Sequence, residues 1–108
     1  MNLTLLADFY ELSMMQGYFL HNENPPVVFD MFFRRQPFGG GFSVFAGLEP
    51  ALEHVSSLSF SADDLAYLEG LGSFRREFLD YLEGFRFHGD IWAMEEGTLA
   101  FPGEPLVR

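Results

Sequence analysis

Apolar positions in the first quarter of the chain recur at helical spacing. Phe9, Leu12, Gln16 and Phe19 fall along one face, and Tyr10, Met14 and Tyr18 along another. The pattern predicts a helix with two partly apolar sides, each to be covered by something different. Its start is marked chemically: Asp8 can accept from a free N–H of the first turn, and Glu11, three residues on, can reach back to the N–H of residue 8. Both carboxylates of this capping box lie where the positive end of the helix dipole favours them. The run from His21 to Pro25 and Pro26 predicts the end, since proline cannot continue a helix and biases the residue before it toward extended geometry.

Beyond the prolines the period changes to two. In 27–34 Val27, Phe29, Met31 and Phe33 share one face while Val28, Asp30, Phe32 and Arg34 share the other, which predicts a strand. Pro37 and three glycines at 39–41 break it, and 42–46 reads as a second strand, its antiparallel partner across a long turn. Helical spacing returns in 47–58, with Leu48, Ala51, Leu52, Val55 and Leu58 inward and Pro50 in the first turn. Ser61 predicts the cap of a short helix ending at Gly70. Ser73 predicts the cap of another, with Phe74, Phe78, Leu79 and Leu82 inward and Gly84 closing it. In the last quarter, 85–92 alternates, 95–97 turns into a strand at 98–101, and 102–105 turns again before Leu106 opens a further apolar element. The whole predicts an α+β fold: four to five mostly antiparallel strands with helices packed on one side, in a single domain over 1–108. With no polar tail after Val107, the end reads as an interrupted element.

Composition narrows the partners. A formal charge of -10 argues against a nucleic-acid backbone or an anionic membrane, and no apolar run approaches the roughly 20 residues needed to span a bilayer. Without cysteine there is no disulfide, thiolate nucleophile or thiolate metal site, which suits a cytoplasmic protein. Fourteen phenylalanines are more than so short a chain can cover, so part of the aromatic surface is expected at an interface.

Self-contained chemistry is hard to find. The glycines at 39–41 beside Arg34 and Arg35 invite a phosphate-loop reading, but the required spacing, following helix and Lys-Ser/Thr pair are missing, so a flexible hairpin connection is the simpler reading. His21, His54 and His88 have no metal-ligand spacing, and no serine lies in a Gly-x-Ser-x-Gly elbow.

Longer stretches carry a family resemblance. The run from Leu6 through Asp8, Tyr10 and Met14 to Phe19, the run from Val28 through Phe33, Arg34, Arg35 and Pro37 to Gly41, and the segments around Asp80, Gly89 to Ala93 and Glu96 to Leu106 resemble, in order and spacing, the N-terminal region of nicotinate phosphoribosyltransferase. The resemblance implies the N-terminal domain of a type II phosphoribosyltransferase, whose C-terminal barrel is missing here. It implies NAD salvage: nicotinate and phosphoribosyl diphosphate give nicotinate mononucleotide, coupled to ATP hydrolysis, with Mg²⁺ and ATP held outside this chain. It also implies a homo-oligomer in full-length form, in which an aromatic residue matching Tyr10 stacks on the pyridine ring in a neighbouring subunit's site. An acidic residue matching Asp8 borders that pocket, and an arginine matching Arg34 approaches the substrate phosphate. Read without the family, Tyr10 is a core or interface tyrosine, Asp8 a helix cap and Arg34 a strand-end arginine, and Arg35 competes for its role. On this reading the 108-residue chain has no catalytic residue of its own and is inactive alone. The alternatives are a fragment of a nicotinamide or quinolinate relative, or a free-standing interaction module.

Overall fold

The computed structural model describes residues 3–108. Their contacts gather into two compact units, one from the chain up to Pro25 with Ser56–Phe87, the other from Pro26–Val55 with His88–Arg108.

The first unit is helical. Helix α1 spans Phe9–Leu20, and the capping box that begins it is in place, with the Glu11 carboxylate accepting the Asp8 N–H at 3.1 Å. Its end comes before the prolines. Asn22 takes a left-handed φ of 53°, its N–H donates to the Phe19 carbonyl, and the Glu23 N–H donates to the Tyr18 carbonyl. That pair is a Schellman stop, which satisfies two carbonyls that the last turn leaves free. Helix α3, Ala62–Gly70, starts at Ser61 as predicted, with Ser61 and Asp64 capping each other. Helix α4, Arg76–Glu83, starts later than Ser73 predicts. Its cap residue is Arg75, and the Arg75 N–H is taken by Oε1 of Gln16 at 2.6 Å, while Nε2 of Gln16 donates to the Ser73 carbonyl. A side chain of α1 thus does the work expected of Ser73, because Phe74 must turn inward before the helix begins. The buried Phe78, Leu79 and Leu82 of α4 and Leu68 of α3 form the core, joined by Leu12, Met15 and Phe19 of α1 and by Phe74. Phe85, predicted as the start of a strand, instead packs its ring against Phe60 and Tyr81 and closes this core.

The second unit holds fewer strands than expected. Among the described residues it has one two-stranded sheet, in which β1, Ser43–Val44, pairs antiparallel with β2, Leu99–Ala100, in the register Ser43 to Ala100 and Val44 to Leu99. The mixed helix-and-sheet class stands, but the four to five strands with helices packed on one side do not. The second strand pairs with the C-terminal quarter and not with 27–34, because the turn at Gly97 brings Thr98 to Phe45: the Phe45 N–H meets the Thr98 carbonyl at 2.8 Å, and the Gly97 N–H meets the Phe45 carbonyl at 2.8 Å. Segment 27–34 makes one bridge, Met31 to Val107, and its Phe33 carbonyl accepts the Gly103 N–H at 2.8 Å, while Ala93 makes the other bridge to Val107. Trp92 also exchanges both backbone hydrogen bonds with Arg108, at 2.7 and 2.6 Å, but pairing this short does not extend into strands over 27–34 or 85–92. A small core of Phe45, Ala100 and Leu106 is flanked by Leu48, Met94 and Val107. Helix α2, Leu48–Ser57, contributes Leu48 alone to that core; Ala51 and Leu52, expected inward, are exposed.

Arg108 forks onto Asp30, with Nε and a terminal nitrogen 2.7 and 3.1 Å from its two carboxylate oxygens. The hydrogen bond from Arg108 holds the Asp30 carboxyl below its ordinary 3.8, against an opposing desolvation and with a smaller aid from the Arg108 charge. A depressed carboxyl adds stability that is present above the ordinary value and lost as pH falls through the lowered one. A carboxyl-carbon NMR titration is expected to place the Asp30 midpoint below 3.8, and Arg108→Ala to bring it back up toward that value.

Candidate functional site

Asp8 and Tyr10 are brought together by the first turn of α1. Asp8 is the residue from which the helix departs, and Tyr10 is the second residue inside it, so the two side chains leave the same helix end. The inward face of α1 is held by Leu12, Met15 and Phe19, and by the Gln16 clamp on α4. That anchoring turns Tyr10 outward, and its side is 58% exposed. Met14 and Tyr18 continue the same exposed stripe at four-residue spacing. An open groove of about 430 Å³ runs beside its far end, lined by Met14, Gly17, Tyr18, His21 and Glu23. The two-sided helix expected from the sequence therefore has one side covered by its own unit and the other bare.

Arg34 belongs to the other unit, on an exposed bend with Arg35. Among the described residues neither arginine has an ion-pair partner, although carboxylates outnumber cations sixteen to six, and nothing in the geometry favours one over the other. The loop after them is no phosphate cradle. Pro37–Gly39 forms one 3-10 turn, Gly39 supplies a positive φ of 67°, and a two-residue strand follows where a phosphate loop needs a helix. Phe38 at its tip is fully exposed and also left-handed, with φ 57°, a conformation that costs a bulky L-residue about 1–2 kcal/mol. Pattern reading has no means of finding that residue, because strain at a phenylalanine leaves no periodic mark.

A flat ring held outward, and a pair of guanidiniums with no ion-pair partner among the described residues, suit a planar heteroaromatic and a phosphate respectively. Among the described residues no three of His, Cys, Asp and Glu gather to hold a metal ion, and no helix is long and apolar enough to cross a membrane.

Comparison with known proteins decides the lineage. Residues 5–108 match the family model described as the nicotinate phosphoribosyltransferase (NAPRTase) N-terminal domain. The chain belongs to that family. It is similar to nicotinate phosphoribosyltransferase pncB2 of Mycobacterium tuberculosis, 44% identical over 104 residues that make 96% of this chain and 22% of that protein. It is also similar to the nicotinate phosphoribosyltransferases of Caenorhabditis elegans, 43% identical over 95% of this chain and 19% of the relative, and of Bacillus subtilis, 38% identical over 99% and 22%. This nicotinate phosphoribosyltransferase N-terminal domain thus spans about a fifth of the length of the curated relatives it matches.

Proposed function

We propose that this domain supplies a substrate-facing edge to a nicotinate phosphoribosyltransferase, the enzyme that joins nicotinate to phosphoribosyl diphosphate with ATP hydrolysis in cytoplasmic NAD salvage. The observation that carries the reading is Tyr10, held outward by a helix whose other face is anchored, in a chain of this family. In the reaction the pyridine nitrogen attacks the anomeric carbon as the bond to diphosphate breaks, so positive charge grows on the sugar while a polyanion departs. Such a site must keep the base in line and stabilise the leaving group. Tyr10 fits the first need, since a stacked ring gains buried area and roughly 0.5–1.5 kcal/mol of ring contact without a charged partner. Asp8, at the same helix end, is assigned to the border of that pocket. Arg34, or Arg35 beside it, suits the phosphate of the phosphoribosyl substrate by bidentate contact, and the leaving diphosphate is left to the rest of the enzyme.

Six cations on a chain of charge -10 do not make a diphosphate site, and Mg²⁺ and ATP are assigned to none of its side chains. The domain is therefore inactive alone and acts in a homo-oligomer, where the rest of the enzyme or a neighbouring subunit completes the pocket. Purified, it is expected to give no nicotinate mononucleotide from nicotinate, phosphoribosyl diphosphate, ATP and Mg²⁺, and turnover would overturn the reading. In a full-length enzyme carrying this stretch, Tyr10→Ala is expected to raise KM for nicotinate about tenfold or more, whereas Tyr10→Phe, which keeps the ring, stays within about threefold. Equal effects of the two substitutions would remove stacking from the account.

A further inference from the structure

We propose that Gln16 is a positioning residue for nicotinate: its amide fixes the roll of α1, and so sets where the ring of Tyr10 points. The inference rests on the stacking role given to Tyr10 above, and goes beyond it by naming what aims the ring. No residue of α1 is buried, so a deep core does not lock this helix. Leu12, Met15 and Phe19 meet the core as half-buried side chains. Apolar contact is non-directional and lets a helix slide or roll, whereas a hydrogen bond weakens steeply once its angle is spoiled. The Gln16 amide makes two such bonds to one short segment: Oε1 accepts the Arg75 N–H at 2.6 Å, and Nε2 donates to the Ser73 carbonyl at 3.2 Å.

Segment 73–75 is a firm reference for that amide. Just before it, the Gly72 N–H donates to the Glu69 carbonyl at the end of α3, and at its close the Arg75 carbonyl accepts the N–H groups of Phe78 and Leu79, each at 3.1 Å. Phe74 in its middle packs on the buried Phe78 at 5.8 Å between centroids. From α1, the Phe9 ring meets the same Phe74 at 5.6 Å. Phe9 and Gln16 are a heptad apart, which sets them on nearly one line of the helix, with a drift of only about 20°. Their two contacts form a seam roughly 10 Å long on one side of α1. Tyr10, the next residue after Phe9, lies about 100° round from that seam. Side chains stand about 5–6 Å from the helix axis, so a roll of roughly 10° carries the ring about 1 Å. A misplacement of about 1 Å can cost roughly 10²-fold in a site that depends on alignment.

Steady-state kinetics of a full-length enzyme carrying this stretch test it, in a cycle that combines Gln16→Met with Tyr10→Ala. Methionine keeps the length and the apolar stem of Gln16 and removes both hydrogen bonds. The expected result is a KM for nicotinate raised about threefold to tenfold, bounded by the loss of the ring itself, with KM for phosphoribosyl diphosphate unchanged within about twofold. In a Tyr10→Ala background Gln16→Met should add nothing, because no ring is left to aim. Gln16→Glu keeps the acceptor for the Arg75 N–H and loses the donor, so a smaller rise is expected, and it carries the same cycle should Gln16→Met fail to fold. Gln16 substitutions that leave KM for nicotinate unchanged, or raise it equally with and without Tyr10, would overturn the proposal and leave the Tyr10 reading standing. If Tyr10→Ala itself leaves KM for nicotinate unchanged, the stacking reading falls and takes the proposal with it.

Discussion

Phe78→Ala is expected to cost about 3–5 kcal/mol and to abolish the cooperative unfolding of the helical unit, measured by urea titration of helical circular dichroism. Phe78 has no exposed surface, and its ring is one member of a run of aromatic contacts: Phe74 and Phe19 each at 5.8 Å between centroids, and Tyr81 at 6.2 Å. Removing it takes away transfer free energy and also leaves three rings facing a void that the helices are too firmly anchored to close, since Gln16 ties α1 to the start of α4. A domain of this size has only about 5–15 kcal/mol of stability to lose. Tyr81→Ala is the useful control. Tyr81 touches the same rings but is 43% exposed, so its loss opens less of a cavity and should cost clearly less.

The second large effect is expected at Glu96. Its carboxylate accepts the N–H of Gly47 at 2.9 Å and of Leu48 at 2.6 Å, which satisfies two donors at the start of α2 from a turn 48 residues away in sequence. Negative charge there also meets the positive end of the helix. Glu96→Ala should destabilise the second unit by about 1–2 kcal/mol, read as a lower urea midpoint at unchanged slope. Glu96→Gln keeps one acceptor oxygen and should lose about half as much. Equal losses would mean that the charge, not the hydrogen bonds, matters.

Glu96 also shows which parts of the fold the sequence could reveal. The α-helices among the described residues were legible, because a period near 3.6, serine and aspartate caps and terminal glycines are local signals: α3 follows its Ser61 cap and ends at Gly70, and Gly84 caps the end of α4. Capping supplied from a distance was not legible. Nothing near Ser73 announces that Gln16 will take the Arg75 N–H, and nothing near Gly47 announces Glu96. Strands failed for the same reason. The alternation of 27–34 is real, but a strand needs a neighbour, and this one finds a single bridge among the described residues. Of the candidate residues, Asp8, Tyr10 and Arg34 are all exposed, and Asp8 and Tyr10 leave one helix end. That Phe38 stands out beside the two arginines in a strained backbone was beyond any pattern.

The Gln16 clamp has a consequence during synthesis. Its partner Arg75 lies 59 residues downstream, so at 5–20 residues per second α1 waits roughly 3–12 s after leaving the ribosome before the helix it packs against exists. Leu12, Met15 and Phe19 are bare throughout that interval, next to a stripe that stays bare afterwards. Newborn chains are therefore most open to chaperone capture, or to clumping with one another, along α1.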